Sequence, residues 1–270
     1  MRIIDWLLLV LVVILGAALA IVSRHFFRYR RKRREEGGGR PWVLPRIPVC
    51  KLDDAFIPDQ FLGYTRATEV AFIALGPFHV VGVTSDFEAW ILAVLSRNAK
   101  KMFEFGTCTG RTAYLWARNS PPDALVYTIT LDPSKTIVYQ EGTGDRSGDK
   151  HEALIESTFD RFMYTGTDVA HKVVQYFGDS KKFDETQFVG SCDLIFIDGS
   201  HAHSYVLSDS EKALRMIRRG GIILWHDYRG PNRLSGVYDT LNELGRRIPL
   251  YSIEGTTLVA YRAPTDSQVS

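Results

Sequence analysis

The sequence predicts an α/β fold: a Rossmann-like doubly wound, mostly parallel sheet with a C-terminal antiparallel hairpin, preceded by a single transmembrane helix. Three observations predict it. Short apolar runs alternate with helical stretches from about residue 85 onward, the pattern of a parallel sheet with helices on both faces. Glycine and acidic residues stand directly after several of those runs, where sheets of this kind place their ligands. Residues 6–22, finally, carry no charge and are almost wholly Leu, Val, Ile and Ala.

That last stretch is near the lower limit for crossing a hydrocarbon core of roughly 30 Å at about 1.5 Å per residue. Seven Lys/Arg follow between Arg24 and Arg34, which predicts that the C-terminal side stays cytoplasmic. Phe26, Phe27 and Tyr29 suit the headgroup layer. A cleaved leader using Ala17-Ala18-Leu19-Ala20 is the competing reading, opposed by the basic segment behind it. The expected organisation is an anchor over 1–23, a basic juxtamembrane segment and glycine linker over 24–40, and one domain over 41–270.

Charge divides the same way. The net charge of +2 is the sum of +6 in residues 1–40 and −4 in the remainder. A mildly acidic domain lacks the clustered cations that nucleic acid requires, so nucleic acid is not an expected partner. The three cysteines, Cys50, Cys108 and Cys192, form no CxxC pair and read as free thiols in a reducing compartment.

Within the domain, Ser85-Asp86-Phe87-Glu88 is a capping box opening a helix to about Arg97. Lys101 to Phe105 reads as a strand, Thr109 to Arg118 as a helix and Leu125 to Leu131 as a second strand. Pro133 to His171 is longer than an ordinary connection, which predicts a substrate lid or partner surface. Lys172 to Phe177 and Leu194 to Ile197 read as strands, Tyr205 to Arg218 as a helix and Ile222 to Trp225 as a further strand. Val237, Leu241 and Leu244 mark one face of a helix, and Leu250 to Ile253 with Thr257 to Tyr261 form the hairpin.

The chemistry sits at the strand ends. Glu104-Phe105-Gly106-Thr107-Cys108-Thr109-Gly110 follows the first strand with G-x-x-x-G spacing, which is neither a dinucleotide fingerprint nor a phosphate loop. Gly106 permits a tight turn, and Gly110 permits close backbone approach to a ligand. The acidic residue before the first glycine suits a ligand with an ammonium group and no phosphate. Asp132 ends the second strand, placed to accept from a ribose. Asp179 and Ser180 end the third, placed for an adenine edge, although either acid can instead be a turn former or helix cap. Asp198, His201 and Asp227 follow the next two strands and are expected to converge. Two carboxylates there can hold Mg²⁺ or another divalent cation, and His201 is placed for general-base work near neutral pH. Strand alternation turns His226 away from Asp227, which predicts a packed or supporting histidine. His203 reads as an exposed residue at a helix start.

On these motifs the chain resembles a class I S-adenosylmethionine (SAM)-dependent methyltransferase. The stretches Asp193 to His201 and Gly220 to Tyr228 resemble the branch of small-molecule O-methyltransferases that includes the macrocin and catechol types. The resemblance runs from about Ser85 to Tyr261. It implies SAM binding by Glu104, Gly106, Thr107, Gly110, Asp132, Asp179 and Ser180, metal ligation by Asp198 and Asp227, and catalysis by His201 with Asp198. His201 takes the place of the catechol type's lysine, Tyr228 that of its asparagine ligand, and His226-Asp227 that of the macrocin type's paired acids. The implied acceptor is a small-molecule, sugar or lipid-linked hydroxyl. Two alternatives stay open: a membrane-tethered SAM binder without transferase activity, and a nicotinamide oxidoreductase.

Overall fold

The computed structural model describes residues 3–35, 49–50, 56, 59–78, 80–82, 84–134, 139–146, 148–230 and 235–265. Helix α1, Ile3–Glu35, runs unbroken through the apolar stretch and on through the basic segment, since nothing before Gly37 breaks a helix. Among the described residues no helix is long and apolar enough to cross a membrane. Five of the residues on which the spanning helix was expected, 7–11, lie outside the side chains described, as does the glycine linker at 36–40.

The domain is built on an eight-stranded sheet. Its strands are β1 (Val49–Cys50), β2 (Lys101–Phe105), β3 (Leu125–Thr130), β4 (Val173–Phe177), β5 (Cys192–Ile197), β6 (Ile217–Trp225), β7 (Tyr251–Ile253) and β8 (Val259–Arg262). They lie in the order β1-β7-β8-β6-β5-β2-β3-β4. Every neighbouring pair is parallel except β6–β8 and β7–β8. The expected hairpin therefore forms. Strand β1, two residues paired with β7, escapes sequence reading because two residues display no period.

Period-two alternation divides the core into two layers. Phe103, Phe105, Ile195, Ile197, Ile223 and Trp225 face one side and pack against α5 (His203–Met216) and α6 (Ser235–Leu244). Met102, Leu194, Phe196 and Leu224 face the other and pack against α2 (Asp86–Ser96) and α3 (Arg111–Asn119). All of these side chains are buried, and each contributes about 1.5–3 kcal/mol relative to exposure. Val237, Leu241 and Leu244 form the buried face of α6 as expected.

Helix α2 begins at the expected capping box: Glu88 N–H donates to Ser85 Oγ and Ser85 N–H to Glu88 Oε2. Connections from β2 lead outward to β3 and β4 on one side, whereas β5 and β6 lie on the other. The chain thus reverses direction between β2 and β5. A crevice opens at their carboxyl ends, the usual ligand position in such sheets.

Candidate functional site

Two crevices meet above this reversal. The first is lined by Gly106, Thr130, Leu131, Gly178, Ser180 and Asp209 among others. The second is lined by Val80, Val81, Ile155, Glu152, His201, His226, Asp227 and Arg229. Cys108, Glu156 and Asp198 line both.

The glycine loop has its own physical logic. Gly106 has φ +98°, and a Cβ there would press on the Asp198 carbonyl and lie 2.6 Å from Gly199 Cα. Its glycine is required by the approach of the β5 turn. Gly110 has φ +75°, and a Cβ would meet Phe162 at 2.8 Å and Tyr164 at 2.9 Å. In the described structure Gly110 therefore admits the 162–164 segment onto the loop. Met163 N–H donates to Thr109 O to hold it there (2.9 Å).

Glu104 and Thr107 lie beneath the loop, both buried. Thr128 Oγ1 donates to Glu104 Oε2 (2.6 Å), and Thr107 and Thr128 hydroxyls share a hydrogen bond (2.8 Å). Gln175 Nε2 donates to Thr107 Oγ1 (3.0 Å), and Tyr164 OH to Gln175 Oε1 (2.6 Å). Burial, aided by the nearby Asp198 charge, pushes the Glu104 carboxyl up to about 8. Its ordinary value is 4.5, so between about pH 4.5 and 8 the folded chain binds more protons than the unfolded one. This group then lowers stability as pH rises across that window, by up to about 1.4 kcal/mol per pH unit. Glu104→Gln keeps an acceptor for Thr128 but cannot ionise. It is expected to flatten that slope, measured by chemical unfolding at about pH 5 and about pH 8.

Of the other candidate cofactor residues, Ser180 lines the first crevice, whereas Asp132 and Asp179 are chain neighbours of its lining residues Leu131 and Gly178. Asp132 follows Leu131 and accepts from Ser134 N–H (3.0 Å) and Ser134 Oγ (2.7 Å), the geometry of a turn former. Asp179 accepts from Lys181 N–H (3.0 Å) and caps a short 3₁₀ turn. Ser180 lines the crevice and donates to Asp209 Oδ2 (3.1 Å).

Asp198, His201 and Asp227 do converge, and His226 joins them. Asp198 Oδ1 lies 2.9 Å from His226 Nδ1, and Asp227 Oδ2 lies 2.9 Å from His201 Nε2. His226 Nδ1 is also 3.4 Å from Asp227 Oδ1. The expectation that His226 turns away from Asp227 is corrected. Asp227 has φ +63°, a left-handed conformation that ends strand alternation, so both side chains reach the cleft. His226 Nε2 then lies 3.4 Å from Glu88 Oε2. Tyr228 instead points into the core, donating to Asn242 Oδ1 (3.1 Å) and stacking on Tyr238. His203, half-buried, shares a hydrogen bond with Thr240 Oγ1 (2.8 Å) where exposure was expected.

The electrostatics distinguish the two functional histidines from ordinary ones. Burial disfavours charge on His201, but Asp227 and Glu152 outweigh it and raise it to about 10. These partners favour the protonated ring over the neutral one. Burial opposes charge on His226 too, and Asp198 and Asp227 hold it well above its usual value. Burial outweighs the His201 charge that pulls the Glu156 carboxyl down. Burial, with Asp198 and Asp227 nearby, pushes its carboxyl up to about 7. Among the described residues, Asp198, His226 and Asp227 form a group whose ligand atoms lie within 4.8 Å of one another. Two carboxylates suit a divalent cation, and His226 could add a nitrogen only by giving up the proton that its neighbours favour.

Sequence reasoning missed His226, Glu156, Glu88 and Asp209. The two glutamates come from segments far from the motif in sequence, so no spacing rule could have found them. From the long 133–171 stretch, α4, Asp149–Glu156, brings Glu152, Ile155 and Glu156 to the lining of the cleft. Residues 135–138 and 147 of that stretch lie outside the described residues.

Residues 103–228 match a family described as a methyltransferase domain. A search of curated proteins gives no match. Among solved structures, the chain is similar to the O-methyltransferase of tomaymycin synthesis from Streptomyces achromogenes, in complex with SAM. Identity is 19%, coverage 67% of this chain and 82% of that one, and the TM-score 0.47. It is also similar to a Podospora anserina methyltransferase with S-adenosylhomocysteine (SAH) bound, at 17% identity, 68% and 81% coverage and TM-score 0.48. An O-methyltransferase from Bacillus cereus, in complex with SAH, is similar at 18% identity, 67% and 83% coverage and TM-score 0.44.

Proposed function

We propose that this chain, whose residues 103–228 form a methyltransferase domain, transfers a methyl group from SAM to a hydroxyl on a small-molecule, sugar or lipid-linked acceptor. One observation carries the reading. The crevice of the glycine loop and the acidic, histidine-lined cleft share Cys108, Glu156 and Asp198, so a donor in the first meets an acceptor in the second at that junction.

Gly106, Asp198 and Ser180, which line the first crevice, would hold SAM there, and SAM would supply the methyl group. Its methyl group is already activated by positive charge, so positioning does much of the catalytic work. His201, protonated and fixed by Asp227, donates a hydrogen bond to the acceptor oxygen. Glu156, at the junction and poised near neutrality, takes the hydroxyl proton. A divalent cation held by Asp198 and Asp227, with His226 joining them once it has lost its proton, would acidify that hydroxyl. Residues 1–23 hold the domain against the cytoplasmic face of a membrane. Supporting this are the apolar run over 6–22 and the seven basic residues behind it.

Calorimetric titration of the purified full-length chain tests the reading. SAH should bind and NAD should not, and Mn²⁺ binding should be lost on Asp227→Asn. Binding of NAD in place of SAH would sink the methyltransferase assignment. In cells the chain should sediment with membranes, and deletion of residues 3–22 should release it.

A further inference from the structure

Residues 60–82 hold one Arg and one Glu among 23 residues, where the chain's 24% charged fraction would give five or six. Their apolar side chains are largely unburied. Phe61 is 84% exposed, Leu62 85% and Phe78 73%, and Phe72, Ile73, Val80 and Val81 are exposed as well. Soluble monomers rarely show so much apolar surface in one segment unless something covers it.

The exposure is built into the fold. At the tip, Asp59 Oδ1 accepts from Phe61 N–H (2.8 Å) and Leu62 N–H (2.9 Å), which fixes a turn that displays both side chains. Farther along, the backbone is fastened to α2 and α3. Ala71 N–H donates to Asn119 Oδ1 (2.7 Å), Leu75 N–H to Asp86 Oδ1 (2.6 Å), and Arg111 Nη2 to Ile73 O (2.8 Å). The segment is therefore a strap, held by its polar backbone with its apolar side chains outward. It ends at the second cleft, which Val80, Val81 and Ile155 line. All three are exposed, so that cleft joins an apolar rim to the charged groups Asp198, His201 and Asp227.

The preceding part of the chain says what covers the strap. It carries the apolar run over 6–22 and the seven Lys/Arg between Arg24 and Arg34. Asp59 follows Glu35 by 24 residues, a reach of at most about 85 Å at roughly 3.5 Å per residue. A surface tethered that close to lipid meets it at high effective concentration. Lipid also accepts an irregular apolar surface, whereas a protein partner requires shape complementarity. We infer that the strap over residues 59–82 is a second membrane contact, laid on the lipid so that the mouth of the second cleft opens onto the bilayer. The inference rests on the reading of residues 1–23 as a membrane anchor.

The experiment places an environment-sensitive fluorophore, nitrobenzoxadiazole, on Leu62→Cys, Phe78→Cys and Ile155→Cys in turn. Each full-length chain is added to vesicles of equimolar phosphatidylcholine and phosphatidylglycerol. All three residues are exposed, so little core packing is lost. Glu211→Cys, at an exposed position on α5 across the sheet, is the control. Burial pushes the native Cys108 and Cys192 thiols up to about 12, so they label slowly. The wild type carried through the same labelling supplies the background. Emission from positions 62, 78 and 155 should shift to the blue, and should be lost when the lipid carries a nitroxide on its acyl chains. Emission from position 211 should do neither. Unshifted emission at 62 and 78, in a chain that sediments with the vesicles, would overturn the strap contact and leave the anchor standing. A blue shift that survives nitroxide lipid would overturn it too, because protein would then be the cover. Quenching at 62 and 78 without quenching at 155 would overturn the orientation of the cleft. A chain that stays in the supernatant fails the anchor and the strap together.

Discussion

Gly106→Ala is expected to destabilise the domain by about 2–5 kcal/mol and to abolish SAH binding. The range combines about 1–2 kcal/mol for a side chain in left-handed backbone with about 1–3 kcal/mol for overpacking. Both apply, because φ is +98° and the added carbon presses on the Asp198 carbonyl and Gly199 Cα. The obstacle is backbone on both sides, so no side chain can rotate away. Relief requires the β2 and β5 turns to separate, and that movement displaces Asp198 from the junction of the crevices. Denaturant unfolding reads the first effect and calorimetry with SAH the second. A variant of wild-type stability that still binds SAH would contradict the packing described here.

The second large effect belongs to Glu88, far from the cleft motifs in sequence. Its carboxylate accepts from Thr257 N–H (2.6 Å), Thr257 Oγ1 (2.8 Å) and Ser85 N–H (2.8 Å), and faces His226 Nε2 at 3.4 Å. Burial pushes against this charge, yet His226, Thr257 and Ser85 together hold the carboxyl well below its usual range. Glu88→Ala strands these donors beside a buried imidazolium. Removing one partner of such a buried pair costs about 3–5 kcal/mol, and chemical unfolding should show a loss of that size. Glu88→Gln should cost less, since the amide oxygen still accepts. His226 would lose its anchor in either variant, so Mn²⁺ affinity is expected to fall in both.

Glu88 also shows why legibility in the sequence was uneven. Its role as a helix cap is local, needing only Ser85 three residues earlier, and the capping box was readable from four letters. Its contact with His226 spans 138 residues, and nothing in either neighbourhood announces it. The strands from Lys101 to Trp225 and the face of α6 were legible because apolar periodicity is itself a local property. Asp198, His201 and Asp227 were legible as a group because strand order brings consecutive strand ends together.

The glycine loop illustrates the remaining difference. Residues 104–110 determined by themselves that a tight, left-handed turn follows the first strand, since only glycine adopts φ +98° and +75° without strain. Tertiary structure alone decided what those turns accommodate: the β5 backbone at Gly106, and the Phe162–Tyr164 segment at Gly110. It likewise decided that His226 enters the site, through one left-handed residue at Asp227. It decided too that Glu156 and Asp209 stand over crevices whose walls come from separate elements. Helix caps, turns and periodicity depend on neighbours along the chain. Burial, charge pairing and proton affinity depend on neighbours in space, and those exist only once the sheet has closed.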